Sequence, residues 1–142
     1  MAGTDIHEAL RQIDFFSDYS SAELDELLEV GQWIKYQSGQ AIITEEDTRL
    51  DLFVLVRGQV KVVKNGKVLA TLQPGDSFGE ITALTRTPRT AHVIAQGQCY
   101  CVRFEAINLH RLSTELQLKL VKKLLFTLAD RLAALNRKFC VT

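Results

Sequence analysis

Between Gln32 and Phe104 the sequence abandons the helical period. β-Branched and aromatic residues gather instead in short runs: Gln32 to Gln37, Ala41 to Thr44, Leu52 to Arg57, Thr90 to Gln96 and Tyr100 to Phe104, with polar or glycine breaks between them. Many short strands at regular spacing predict a roll, sandwich or barrel. Two runs, Lys61 to Lys64 and Lys67 to Ala70, flank Asn65-Gly66. Both residues tolerate positive φ, so this dipeptide is the strongest short hairpin signal available. Leu72-Gln73-Pro74-Gly75-Asp76 reads as another turn. One all-β body is predicted.

The two ends read differently. Residues 4–31 are predicted helical, with Thr4 as a cap and Ile6, Leu10 and Ile13 on one face. Ser20 and Glu23 have the spacing of a capping box, Leu24, Leu27 and Leu28 form a stripe, and Gly31 is a natural stop. From Thr114 to Phe139 runs the longest helix, with Thr114 and Gln117 offering a second capping box. Leu118, Val121, Leu125, Leu128, Leu132, Leu135 and Phe139 recur at alternating spacings of three and four, a heptad seam. Leu116, Leu120 and Leu124 lie on another side of the same helix. Two stripes imply two contacts, one with the β body and one with the same helix of a second subunit. The alternative is that both are satisfied within one chain. Lys122, Arg131 and Lys138 flank the seam and are all basic, so no complementary ion pairs specify a parallel homodimer.

The chain has 142 residues, enough for one domain with its own core. The expected division is a single domain over 1–142, with helices in 1–31, a β-roll in 32–104 and helices in 105–142. Formal net charge is zero, which argues against a nucleic-acid coat or a polybasic membrane anchor. The zero hides an uneven distribution. Residues 1–47 hold 11 acidic and 2 basic residues, residues 48–113 hold 4 and 9, and residues 114–142 hold 2 and 6. The β segment is therefore positive and the N-terminal segment strongly acidic, a candidate docking surface. The longest aliphatic or aromatic run, Leu52 to Val56, is far short of the roughly 20 residues of a membrane helix. The N-terminus lacks the pattern of a secretory signal. Cys99 and Cys101 alternate on one strand face and read as small buried side chains, which fits a reducing, cytoplasmic setting.

The stretch richest in chemistry is 74–93. Gly79 allows close backbone approach, and 79–84 can form one helical turn whose free amides face an anion. Arg89 supplies a planar fork of donors suited to phosphate oxygens, and Pro88 fixes the backbone before it. Glu80 is an acid beside an anion site, which suits a ligand that also presents hydroxyl donors, as a ribose does. A hairpin loop with a surface Arg–Glu pair is the plainer reading of the same residues.

Phe78-Gly79-Glu80-Ile81, six residues, then Pro88-Arg89-Thr90-Ala91 closely resembles the phosphate-binding cassette of the cyclic nucleotide-binding domain family. Phe15-Phe16-Ser17, the run Phe53 to Val62 around Gly58, and Pro74-Gly75-Asp76 are also similar to that family. The resemblance implies a mainly β fold, a β-roll of the jelly-roll type with N-terminal helices, a short cassette helix and a long C-terminal helix. It implies that Arg89 pairs with the cyclic phosphate and that the amides around Ile81, Thr82 and Ala83 add hydrogen bonds. Glu80 would accept from the ribose 2′-hydroxyl, and Gly79, after Phe78, would leave room for the sugar. Thr90 would donate to phosphate or to a guanine amino group, and Ala91 would offer backbone contacts. No cofactor is implied beyond the ligand, cAMP in preference to cGMP.

This sequence departs from the family pattern at Arg86 and Thr87, at His92 where Thr is common, and at Glu45-Glu46 where a glycine is usual. The expected function is a non-catalytic sensor that moves its C-terminal helices and signals to an effector protein not identified by the sequence. The output is expected to be a partner protein, or else the chain is a fragment of a longer one, since no helix-turn-helix, kinase, cyclase or channel segment is present. A degenerate domain kept for dimerisation or docking is one alternative. A cupin-like metalloenzyme is another, though His7, His92 and His110 are widely separated and form no HxH pair.

Overall fold

A computed structural model describes residues 3–79 and 89–139 of the chain. The expected cassette helix, with Glu80, Ile81, Thr82, Ala83, Arg86, Thr87 and Pro88, lies outside the described residues, as does the side chain of Phe139.

Two helices lead into the sheet: α1 (Gly3–Arg11) and, after a short 3-10 turn at Asp14–Phe16, α2 (Ser21–Val30). The Ser20–Glu23 capping box is made in both directions: Ser20 Oγ accepts the Glu23 N–H, and the Glu23 carboxylate accepts the Ser20 N–H at 2.9 Å. That backbone bond, and then Lys119, hold the Glu23 carboxyl below the usual carboxylate range. Gly31 ends α2 for another reason than the one expected. Its φ is −85°, open to any residue. A Cβ there would stand 2.7 Å from the Phe104 ring and 3.0 Å from Val102. Packing, not a left-handed turn, selects glycine.

Six strands follow: β1 (Gln32–Tyr36), β2 (Ala41–Ile43), β3 (Asp51–Lys64), β4 (Lys67–Leu72), β5 (Ser77–Phe78) and β6 (His92–Glu105). All pairings are antiparallel. β3 and β6 form the spine, in register from Asp51↔Glu105 to Val63↔His92, while β1 and β2 pair with β6 and β4 and β5 with β3. This is the β-roll expected from the sequence. Asn65 and Gly66, at φ 52° and 73°, make the β3–β4 turn. The two strands expected at 90–96 and 100–104 are one strand, β6. Its register against β3 slips where Gly58 and Gly97 take positive φ, so the glycine break is a kink and not an end.

The core has two parts. Inside the roll lie Tyr36, Phe53, Leu55, Val60, Phe78, Val93, Cys99 and Cys101 among others. Burial pushes the Tyr36 hydroxyl up to about 12 and raises the Cys101 thiol strongly. Both side chains are therefore neutral packing groups. Between the sheet and the helices lie Leu10, Phe15, Phe16, Leu24, Leu27, Val54, Val102 and Phe104.

The final helix, α3 (Thr114–Phe139), is preceded by a 3-10 segment at Ala106–Arg111. Its cap is Ser113, whose Oγ accepts the Leu116 N–H at 3.3 Å. Thr114 is already inside the helix, and the Gln117 amide donates to the Leu112 and His110 carbonyls. Leu116, Leu120 and Leu124 are buried in the helix–sheet core. Truncating Leu120 to alanine should cost about 2–5 kcal/mol, read as a fall in the urea midpoint at unchanged slope. On the other side, Leu118, Val121, Leu125, Leu132 and Leu135 are each more than half exposed, and so is their neighbour Phe126. Among the described residues no helix is long and apolar enough to cross a membrane.

Candidate functional site

Among the described residues Arg89 is the buried cation, 5 % exposed. Its backbone is clamped to the β2–β3 loop: the Arg89 N–H donates to the Asp47 carbonyl at 2.9 Å and its own carbonyl accepts the Glu46 N–H at 2.8 Å. The guanidinium is oriented by three further carbonyls. Nη1 donates to Gly79 at 2.6 Å, and Nη2 donates to Asp51 at 2.7 Å and Arg49 at 3.0 Å. These carbonyls fix the orientation of the planar fork.

Gly79 forms the facing wall. Its φ is +83°, and a Cβ there would meet the Asp51 carbonyl at 2.6 Å and Arg89 Nη1 at 2.9 Å. Phe78, just before it, is buried and stacked on Phe53 with ring centroids 5.0 Å apart. That stack pins β5 to β3 and so sets where the cassette leaves the sheet. Thr90 is exposed and Ala91 half-buried beside Arg89. Thus Phe78, Gly79, Arg89, Thr90 and Ala91 are brought together, while Glu80, Ile81, Thr82 and Ala83 lie outside the described residues.

Two parts of this arrangement have no counterpart in the sequence reading. One is the β2–β3 loop. There the Asp47 carboxylate takes the Arg49 N–H at 2.9 Å and its guanidinium at 2.8 Å, and the Arg49 bond is the main reason that carboxyl is held low. The other is Arg131 of α3, whose Nη2 donates to the Ser77 carbonyl at 2.5 Å and lies 3.9 Å from Asp76. Arg131 stands in line with Leu116, Leu120 and Leu124, so it faces the body and not the seam. Two surface clefts among the described residues border these elements. One runs between Asp14, Pro74 to Asp76 and the Lys123–Asp130 part of α3, the other between Arg49, Arg103 and Ile107. The histidines are separate: His7 meets Asp25, and His92 meets Glu45. Among the described residues no three His, Cys, Asp or Glu side chains are grouped to hold a metal.

The chain is thus an antiparallel β-roll with a glycine–arginine cradle at the end of β5. The family profile of the cyclic nucleotide-binding domain matches residues 33–115, more than half of the chain, and the chain belongs to that family. The cAMP-dependent protein kinase regulatory subunit of Schizosaccharomyces pombe is 30 % identical over 104 residues, 72 % of this chain and 25 % of that protein. The cGMP-dependent protein kinase of Toxoplasma gondii is 34 % identical over 104 residues, 67 % of this chain and 10 % of that protein. The chain thus spans a quarter or less of these relatives. A solved cyclic nucleotide-binding domain from Methylobacillus flagellatus shares the fold, with a TM-score of 0.82, 23 % identity, and coverage of 97 % of this chain and 82 % of that one.

Proposed function

We propose that this chain is a non-catalytic cyclic nucleotide sensor that binds cAMP in preference to cGMP and signals through α3. The observation that carries the reading is the buried Arg89 guanidinium, held by the Gly79, Arg49 and Asp51 carbonyls. Arg89 takes the cyclic phosphate, joined by the amides of Ile81, Thr82 and Ala83 and by Thr90. Glu80 takes the ribose 2′-hydroxyl, Gly79 leaves room for the sugar, and Phe78 and Ala91 complete the wall. Arg131 on the Ser77 carbonyl ties α3 to the strand that opens the cassette. A ligand that moves the cassette therefore biases α3, because it shifts only states it contacts differently. Relatives named for each nucleotide are similar to this chain. Calorimetric titration of the protein with each tests the reading. Saturable binding of cAMP tighter than of cGMP is expected; no heat with either at millimolar concentration overturns it.

The reading extends to a cytoplasmic homodimer that works on an effector protein and not on nucleic acid. Its support is the exposed seam of Leu118, Val121, Leu125, Leu132 and Leu135, to which Leu128 and Phe139 belong by spacing. Light scattering at micromolar protein is expected to give twice the chain mass, and Leu125→Glu should halve it. A monomeric parent protein excludes the dimer. The same seam favours a second reading, a docking module that binds no nucleotide, and the calorimetry separates the two.

A further inference from the structure

Two positions far apart in the sequence meet in the structure. The Glu45 N–H donates to Nδ1 of His92 at 3.0 Å, across 47 positions of sequence. A ring nitrogen that accepts a backbone N–H carries no proton, so in the neutral ring the proton sits on Nε2, which lies 3.8 Å from the Glu45 carboxylate. The next residue, Glu46, has φ +69°, a left-handed conformation that a side chain with a Cβ resists. Something must hold the turn there. On its far side the turn is held by Arg89, through Glu46 N–H to Arg89 carbonyl and Arg89 N–H to Asp47 carbonyl. On its near side the turn is closed by its own Asp47 N–H to Thr44 carbonyl bond at 3.1 Å, and His92 adds the side-chain acceptor for Glu45. The same loop then delivers the Arg49 carbonyl to the Arg89 guanidinium at 3.0 Å.

We propose that His92 is a positioning residue for the phosphate site. By accepting the Glu45 N–H it fixes the strained 45–47 turn, and that turn fixes the backbone and one side-chain acceptor of Arg89. His92 needs no contact with the ligand to do this. The inference rests on the reading of Arg89 as the phosphate ligand. It explains how Glu46, a residue with a Cβ, is held at φ +69°.

Amide hydrogen exchange by NMR on the ligand-free protein tests the mechanical part, and cAMP titration tests its consequence. In His92→Ala the Glu45 N–H loses its acceptor. Exchange at Glu45, Glu46 and Arg89 should quicken by roughly tenfold or more, while Val54 and Val102 in the sheet core keep their rates. Affinity for cAMP should fall roughly 3- to 10-fold, about what one hydrogen bond of net worth near 1 kcal/mol allows. In His92→Asn the amide oxygen offers an acceptor near the place of Nδ1, and both effects should largely reverse. Exchange that is unchanged in His92→Ala, or that rises throughout the sheet, overturns the proposal, as does failure of His92→Asn to restore either quantity. Altered exchange with undiminished affinity also overturns it. If the parent protein binds neither cAMP nor cGMP while the exchange effect is local and rescued, the nucleotide reading has failed and the loop linkage stands.

Discussion

Replacing Arg89 with alanine should weaken cyclic nucleotide binding by roughly 30- to several-thousand-fold, the equivalent of about 2–5 kcal/mol for a ligand charge left buried without its partner. The size of the effect follows from burial. At 5 % exposure water does not replace the lost guanidinium, so the phosphate must either remain unpaired or stay out. Alanine also removes a donor from the Gly79, Arg49 and Asp51 carbonyls, so some loss of stability accompanies the loss of binding. Arg89→Lys separates the two effects. Lysine keeps the backbone clamp to Glu46 and Asp47 and the positive charge, but it cannot present the planar fork. Its thermal midpoint should stay closer to that of the parent than the alanine variant's does, with cAMP affinity still down about tenfold or more. Calorimetry on the parent and both variants measures this. An Arg89→Ala protein that binds cAMP as the parent does would remove Arg89 from the site.

The parts of this molecule that were legible in the sequence are those whose cause is local. Asn65-Gly66 makes its turn because both residues accept positive φ. Ser20 and Glu23 satisfy each other across one helical turn. Leu116, Leu120 and Leu124 recur at the helical period and are buried. The parts that were not legible depend on contacts made by backbone atoms or on distant partners. Gly31 signals a helix stop, yet what excludes a side chain there is Phe104, 73 positions away in sequence. The break at Gly97 resembles a strand end, but a partner strand with its own glycine, Gly58, slips with it and the ladder continues. At the site, Arg89 and Gly79 are visible as residue types, whereas the acceptors of Arg89 are main-chain carbonyls that any residue carries. The same holds for Arg131, which in sequence is one more flanking base of the seam and in space reaches the Ser77 carbonyl.

Gly79→Ala should destabilise the protein by about 1–5 kcal/mol and lower nucleotide affinity as well. Two costs add. At φ +83° a residue with a Cβ loses roughly 1–2 kcal/mol relative to glycine. The new Cβ also stands 2.6 Å from the Asp51 carbonyl oxygen, a backbone atom fixed by the β3–β6 pairing at Asp51↔Glu105, and overlaps of this kind cost about 1–3 kcal/mol. A smaller gain from the stiffer unfolded chain, about 0.4–1 kcal/mol, offsets part of this. Gly39 supplies the control. Its φ is also +83°, but a Cβ there would meet nothing within 4 Å. Gly39→Ala should therefore lose only the conformational part, about 1 kcal/mol. At roughly 3–5 °C per kcal/mol for a chain of this size, the two thermal midpoints should differ by several degrees. The difference isolates the steric term, which is the term that bears on binding. Relief of the overlap pushes either the Asp51 carbonyl or Arg89 Nη1, 2.9 Å from the same Cβ, and both belong to the cradle that aims the guanidinium. Gly39→Ala should bind cAMP as the parent does, and Gly79→Ala should not. Equal midpoints for the two variants would mean that the cradle is looser than these distances require.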